Sequence, residues 1–117
     1  MYSPEISLGF GSIVYALSKL DGHVQKEETQ IAQFLLSEGP HSALALSGYF
    51  LRESVQESAE DAYAFGMRRL IDKRAELTER TKRRFVTILL RVARSHEGMS
   101  PAELLFIRTF WRDIQPL

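Results

Sequence analysis

Hydrophobic residues recur along this chain at intervals of three and four, the spacing that lines up one face of an α-helix. The first such stripe is Ile6, Phe10, Ile13, Val14, Leu17 and Leu20. Ser3-Pro4-Glu5 precedes it as a start signal: Ser as N-cap, Pro in the first helical position, an acid in the first turn. A helix is predicted over about 4–20, stopping near Asp21-Gly22. A second begins near Lys26, carries Ile31, Phe34, Leu35 and Leu36, and ends at Glu38-Gly39-Pro40. A third covers roughly 41–52, with Leu44, Leu46, Tyr49, Phe50 and Leu51 as its apolar positions.

Ser54-Val55-Gln56-Glu57 reads as a capping box opening a fourth helix, whose apolar positions include Ala62, Tyr63, Phe65, Met67, Leu70 and Ile71. Thr78 is placed to cap a fifth helix with Phe85, Val86, Ile88, Leu89, Val92 and Ala93 as its buried stripe. A break follows at Glu97-Gly98. Ser100-Pro101-Ala102-Glu103 is then a second capping box with Pro in the first position, opening a sixth helix with Leu104, Leu105, Ile107, Phe110 and Trp111 until Pro116. Trp111, Phe110 and Phe106 are expected in the core. No segment alternates with period two, so no sheet is predicted. The short connections favour antiparallel neighbours. The expected fold is all-α: one domain over 1–117, a bundle of about six to seven helices.

Shifting the chain by 75 residues lays the first two helices over the last two without a gap. Phe10 meets Phe85, Ile13 meets Ile88, Val24 meets Met99, Glu28 meets Glu103 and Leu35 meets Phe110. Shared periodicity explains part of this match, but the coincident turn and acid exceed it. The pattern predicts a pseudo-twofold internal repeat with halves at about 5–36 and 80–113, linked by the middle helices.

Composition narrows the function. A chain of 117 residues can bury a core without disulfides or metal staples, and the absence of Cys removes thiol chemistry and thiolate ligands. Net charge is zero but unevenly spread. Residues 1–67 hold nine acids against three bases, and residues 68–94 hold ten bases against three acids. The start at Met1 has no basic n-region and no apolar run behind it, and no apolar stretch is long enough to span a bilayer, so a cytoplasmic location is expected. No Gly-rich phosphate loop or nucleophile elbow occurs, and a non-enzymatic protein is expected. The basic run, Arg68, Arg69, Lys73, Arg74, Arg80, Lys82, Arg83, Arg84, Arg91 and Arg94, reads first as a solvated helix face pairing with Glu76 and Glu79. Its alternative is a surface for nucleic acid or an anionic membrane, although no helix-turn-helix signature accompanies it.

The most distinctive stretch is Leu17-Ser18-Lys19-Leu20-Asp21-Gly22-His23-Val24-Gln25-Lys26-Glu27-Glu28: a helix end, Asp-Gly, a hydrophobe two residues after the Gly, and a Glu seven after the Asp. Val92-Ala93-Arg94-Ser95-His96-Glu97-Gly98-Met99-Ser100-Pro101-Ala102-Glu103 repeats its register. In these two motifs the chain resembles the tellurite-resistance protein TerB family, over essentially its whole length. The resemblance implies an all-α bundle whose two turns come together, with acidic positions gathered into a negatively charged, metal-binding site. Carried over, those positions are Asp21 and Glu28 from the first motif and Glu103 from the second. The family's fourth acid is replaced by His96, and Glu97 stands where the family has Gly. His96 is then a candidate ligand for a transition metal, and Glu97 a candidate substitute for the missing acid.

Oxygen ligands alone would suit Ca or Mg, and a set including His96 would suit Zn, Mn or Fe. Three carboxylates packed without a cation would repel one another and raise at least one pKa. Each residue also has a structural reading. Glu103 completes a capping box, Glu28 sits where a helix dipole favours an acid, Asp21-Gly22 is a helix stop, and His96 is a polar turn residue. His23 and His41 read as exposed. The resemblance further implies a stress-response setting of the tellurite type. The related helical domain at the front of a membrane-anchored DnaJ-type co-chaperone implies protein interaction. The expected function is therefore a metal-ion-binding or protein-interaction module with a protein partner, a homodimer included. Nucleic-acid binding through 68–94 is the alternative, and metal-assisted hydrolysis at Asp21, Glu28 and Glu103 the weaker one.

Overall fold

The computed structural model describes residues 2–22 and 24–117, so Met1 and His23, and the sequence expectations that fall on them, lie outside the described residues. Six α-helices follow in order: α1 (Pro4–Ser18), α2 (Lys26–Ser37), α3 (Ser42–Ser54), α4 (Ala59–Asp72), α5 (Glu79–Ala93) and α6 (Pro101–Ile114), with a 3₁₀ turn at Arg74–Glu76 between α4 and α5. Among the described residues there is no strand.

The hub is α1. Its sequence is amphipathic only at first sight, since Ser7, Gly9, Gly11, Ser12, Tyr15 and Ala16 are buried along with the apolar stripe. Small residues make this possible. A methyl group at Gly11 would run into the Ala45 carbonyl of α3, and one at Gly48 of α3 would run into the Leu8 carbonyl of α1. Toward α4, a methyl at Gly66 would strike Ile13 and the Gly9 carbonyl. The backbones of α1, α3 and α4 therefore meet almost directly, and burial of the hydroxyls is compensated by hydrogen bonds. Ser12 Oγ donates to the Ala62 carbonyl at 2.8 Å and Tyr15 Oη to the Glu57 carbonyl at 2.7 Å.

The last two helices pack on the other side of α1. Phe10 and Phe85 stack at 3.9 Å between ring centroids, 9° from parallel, and Phe110 is fully buried nearby. Phe106 and Trp111, expected in the core, are only half-buried at its edge. Tyr63 Oη of α4 donates to Asp113 Oδ2 of α6 at 2.6 Å, which ties the middle of the chain to its end. No helix is long and apolar enough to cross a membrane.

Several expectations are corrected. Ser54 does not open α4: it sits in the last turn of α3, where its Oγ donates to the Leu51 carbonyl. The N-cap of α4 is Ser58, which accepts from the Asp61 N–H at 3.1 Å. Phe34, Leu44, Leu51, Ile71, Leu104 and Leu105 are exposed rather than buried. Lys82 does not belong to a solvated face. It is buried, and its Nζ donates to the Gln115 carbonyl at 3.1 Å and pairs with Glu79 at 3.5 Å. A cation held against the end of α6 complements that helix's negative pole.

Candidate functional site

Two helix starts face each other at one end of the molecule. Gln25 is the N-cap of α2, and Glu28, the third residue of that helix, reaches back to the Gln25 backbone N–H. Ser100 is the N-cap of α6, and Glu103, the third residue there, closes the capping box. Glu103 Oε1 accepts from the Ser100 N–H at 2.8 Å, and Ser100 Oγ accepts from the Glu103 N–H at 3.1 Å. The local chemistry that starts each helix thus aims each carboxyl group at the same point.

Both side chains are withdrawn from solvent, with 4% exposure for each residue, and they hydrogen-bond to one another. Burial comes first among the causes that push the Glu28 carboxyl up to about 8. The hydrogen bond to Glu103 and the charge of Glu103 add to it, Asp21 adds a little more, and the Gln25 N–H opposes them. Glu28 is therefore held in its protonated form beside Glu103 at neutral pH. A deep carboxylate pair holding one proton is the outcome that packing acids without a cation requires.

The pair lies in a cavity of about 190 Å³ lined by Asp21, Gln25, Glu28, His96, Glu97 and Glu103, together with the turn 98–100. The corners at 21–28 and 96–103 meet, and all five candidate residues face one space. Their roles differ. Asp21 is exposed in the first corner, where Gly22 has φ +92 and takes the left-handed conformation that ends the α1 turn. Glu97 has φ +54 and Gly98 φ +81, so the second corner places a non-glycine residue in the left-handed region. His96 lines the same cavity and also reaches α2. Its Nδ1 lies 2.8 Å from Glu27 Oε2, an ion pair when the imidazole is protonated, which clips the second corner to α2. Among the described residues, no three His, Asp or Glu side chains are grouped so as to hold a metal between them.

Sequence reasoning did not identify Gln25 as a wall of this cavity or Glu27 as the partner of His96. The spacing of Gln25 and Glu28, which repeats that of Ser100 and Glu103, was the available signal for the first. The second had none, since it depends on how the two corners are turned.

Part of the basic run is engaged locally. Arg69 lies over the Phe65 ring at 3.8 Å, with Arg52 at 3.7 Å from the same ring. Arg74 donates to the Ile71 carbonyl, Lys82 is buried, and Arg84 pairs with Glu38 at 3.8 Å. No family model, curated protein or solved structure matches the chain.

Proposed function

We propose that the protein is a non-enzymatic, TerB-like module that binds a hard divalent cation between its two helix corners. The observation that carries this reading is the buried Glu28–Glu103 pair in a polar cavity. Two carboxyl groups sequestered together are costly unless a proton or a cation sits between them. Glu28 and Glu103 would hold the ion, with Asp21 as the third carboxylate of the same cavity. These carboxylates offer only oxygen, and His96, in the lining of the same cavity with its Nδ1 at Glu27, would be the one nitrogen ligand among the candidates. Oxygen donors favour Ca, Mg or Mn over Zn. The bound ion would supply charge that draws the two corners together, and the occupied corners would be what a protein partner reads. The stacking of Phe10 on Phe85 and the meeting of Glu28 with Glu103, both pairs matched by the internal repeat, support a pseudo-twofold arrangement of the two helical hairpins.

Thermal melts in chelator and in Ca, Mg, Mn or Zn test the reading, with wild type beside Glu28→Gln. A cation that binds only the folded state, at about 100 times its Kd, adds roughly 2.7 kcal/mol. A hard cation should raise the wild-type melting temperature by several degrees and leave the variant unmoved. An unchanged wild type in every cation, or an equal response from the variant, rules the site out.

A further inference from the structure

The seam between α5 and α6 forms a second concavity, remote in chemistry from the acid pair. Its volume is about 550 Å³, and its lining is Val86 and Thr87 of α5 with Ile107 and Trp111 of α6, flanked by Arg83 and Arg108. Ile107 is buried, and Val86 and Trp111 are half-buried, so the apolar floor is recessed between two helices. Leu104 lies one turn before Arg108 on the same side of α6 and is exposed.

The charges that line this floor are all positive. The guanidinium groups of Arg83 and Arg108 are exposed and form no ion pair or hydrogen bond among the described residues. Their basic neighbours are engaged: Lys82 with Glu79, Arg84 with Glu38 and Arg112 with Asp113. No carboxylate lines the groove. Two free cations thus stand on either side of an apolar trough that ends on an aromatic ring.

We propose that this seam docks an acidic amphipathic helix of a protein partner. A trough between two neighbouring helices accepts the apolar ridge of a third helix as bundles do, and flanking acids on that helix would meet Arg83 and Arg108. With 15 residues in α5 and 14 in α6, the seam accommodates roughly three to four turns of helix. The recessed floor argues against a membrane surface, which needs apolar side chains that protrude. The apolar floor between the two cations favours a helix with a hydrophobic ridge over nucleic acid, whose phosphates would use only the cations.

Trp111 is the only tryptophan of the chain, so its emission reports occupancy directly. The probe is a synthetic helical peptide of about four turns with Leu on one face and Glu on both flanks, compared with a twin carrying Lys in place of Glu. The acidic peptide should blue-shift Trp111 emission saturably and bind roughly tenfold or more tightly than the Lys twin. The double variant Arg83→Glu/Arg108→Glu, changed only at exposed positions and checked for an unaltered melt, should lose that preference or reverse it. The inference is overturned if neither peptide shifts the emission, or if both bind alike. It is also overturned if the double variant keeps the wild-type preference, or if only phosphatidylglycerol vesicles, duplex DNA or a second copy of the chain produces the shift. None of these outcomes depends on the cation site.

Discussion

At the scale of single residues, Glu28 decides how the molecule responds to pH. Its carboxyl group titrates at about 8 in the folded, metal-free protein against an ordinary 4.5. Between those values the folded state holds a proton that the unfolded state has lost. The stabilisation from this group is therefore complete below about pH 4.5, falls as pH rises, and is gone above about 8. Each unit of pKa difference is worth about 1.4 kcal/mol. In chelator, the wild-type melting temperature should decline between about pH 5 and 8, whereas Glu28→Gln, whose amide donates to Glu103 at every pH, should lack that decline. Parallel curves for the two proteins would show that Glu28 is not sequestered with a second acid. The candidate residues were legible from spacing, because a Glu at the third position of a helix has a fixed local reason to be there. Their meeting, and the contact of His96 with Glu27, were not legible, because both are set by how α2 and the 96–103 corner are mutually placed.

Element by element, the helix starts were the most readable feature. Ser3-Pro4, Thr78 and Ser100-Pro101 each precede the helix they announce, and Thr78 and Ser100 accept the backbone N–H groups expected of them. The misplaced start of α4 has a simple cause. Ser54 and Ser58 each precede an acid by three residues, and only the three-dimensional path shows that α3 runs on through the first of them. The glycines of α1 were opaque for a deeper reason. Within a single helix, glycine registers only as a loss of helical propensity, and its use here lies in the Ala45 carbonyl of another element. Gly11→Ala pits two effects against each other: helical propensity improves by up to about 1 kcal/mol, and overpacking costs roughly 1–3 kcal/mol. Because the obstruction is backbone and not the tip of a side chain, it cannot simply rotate away, and the variant should be destabilised in a urea titration. A more stable variant would show that α1 and α3 stand further apart. Lys82 was misread for the same reason, since burial against the Gln115 carbonyl is invisible in a run of bases.

Across the whole molecule, the uneven charge of the sequence is put to more than one use. The acids Glu28 and Glu103 are drawn inward at the corners, while four of the ten bases of 68–94 are engaged: Arg69 on the Phe65 ring, Arg74 with the Ile71 carbonyl, Lys82 buried against the Gln115 carbonyl and Arg84 with Glu38. Arg83 flanks the α5–α6 seam together with Arg108. The all-α class and the single core followed from periodicity and short connections. The functional reading rests on one three-dimensional fact, that two carboxyl groups from distant parts of the chain share a single protected space. Carbon-13 NMR of the Glu side-chain carboxyls, followed through a pH titration in chelator, measures this directly. One buried glutamate, Glu28, should titrate near 8, and a hard cation should pull that midpoint down. A Glu28 titration at the ordinary glutamate value, unmoved by any cation, would contradict it.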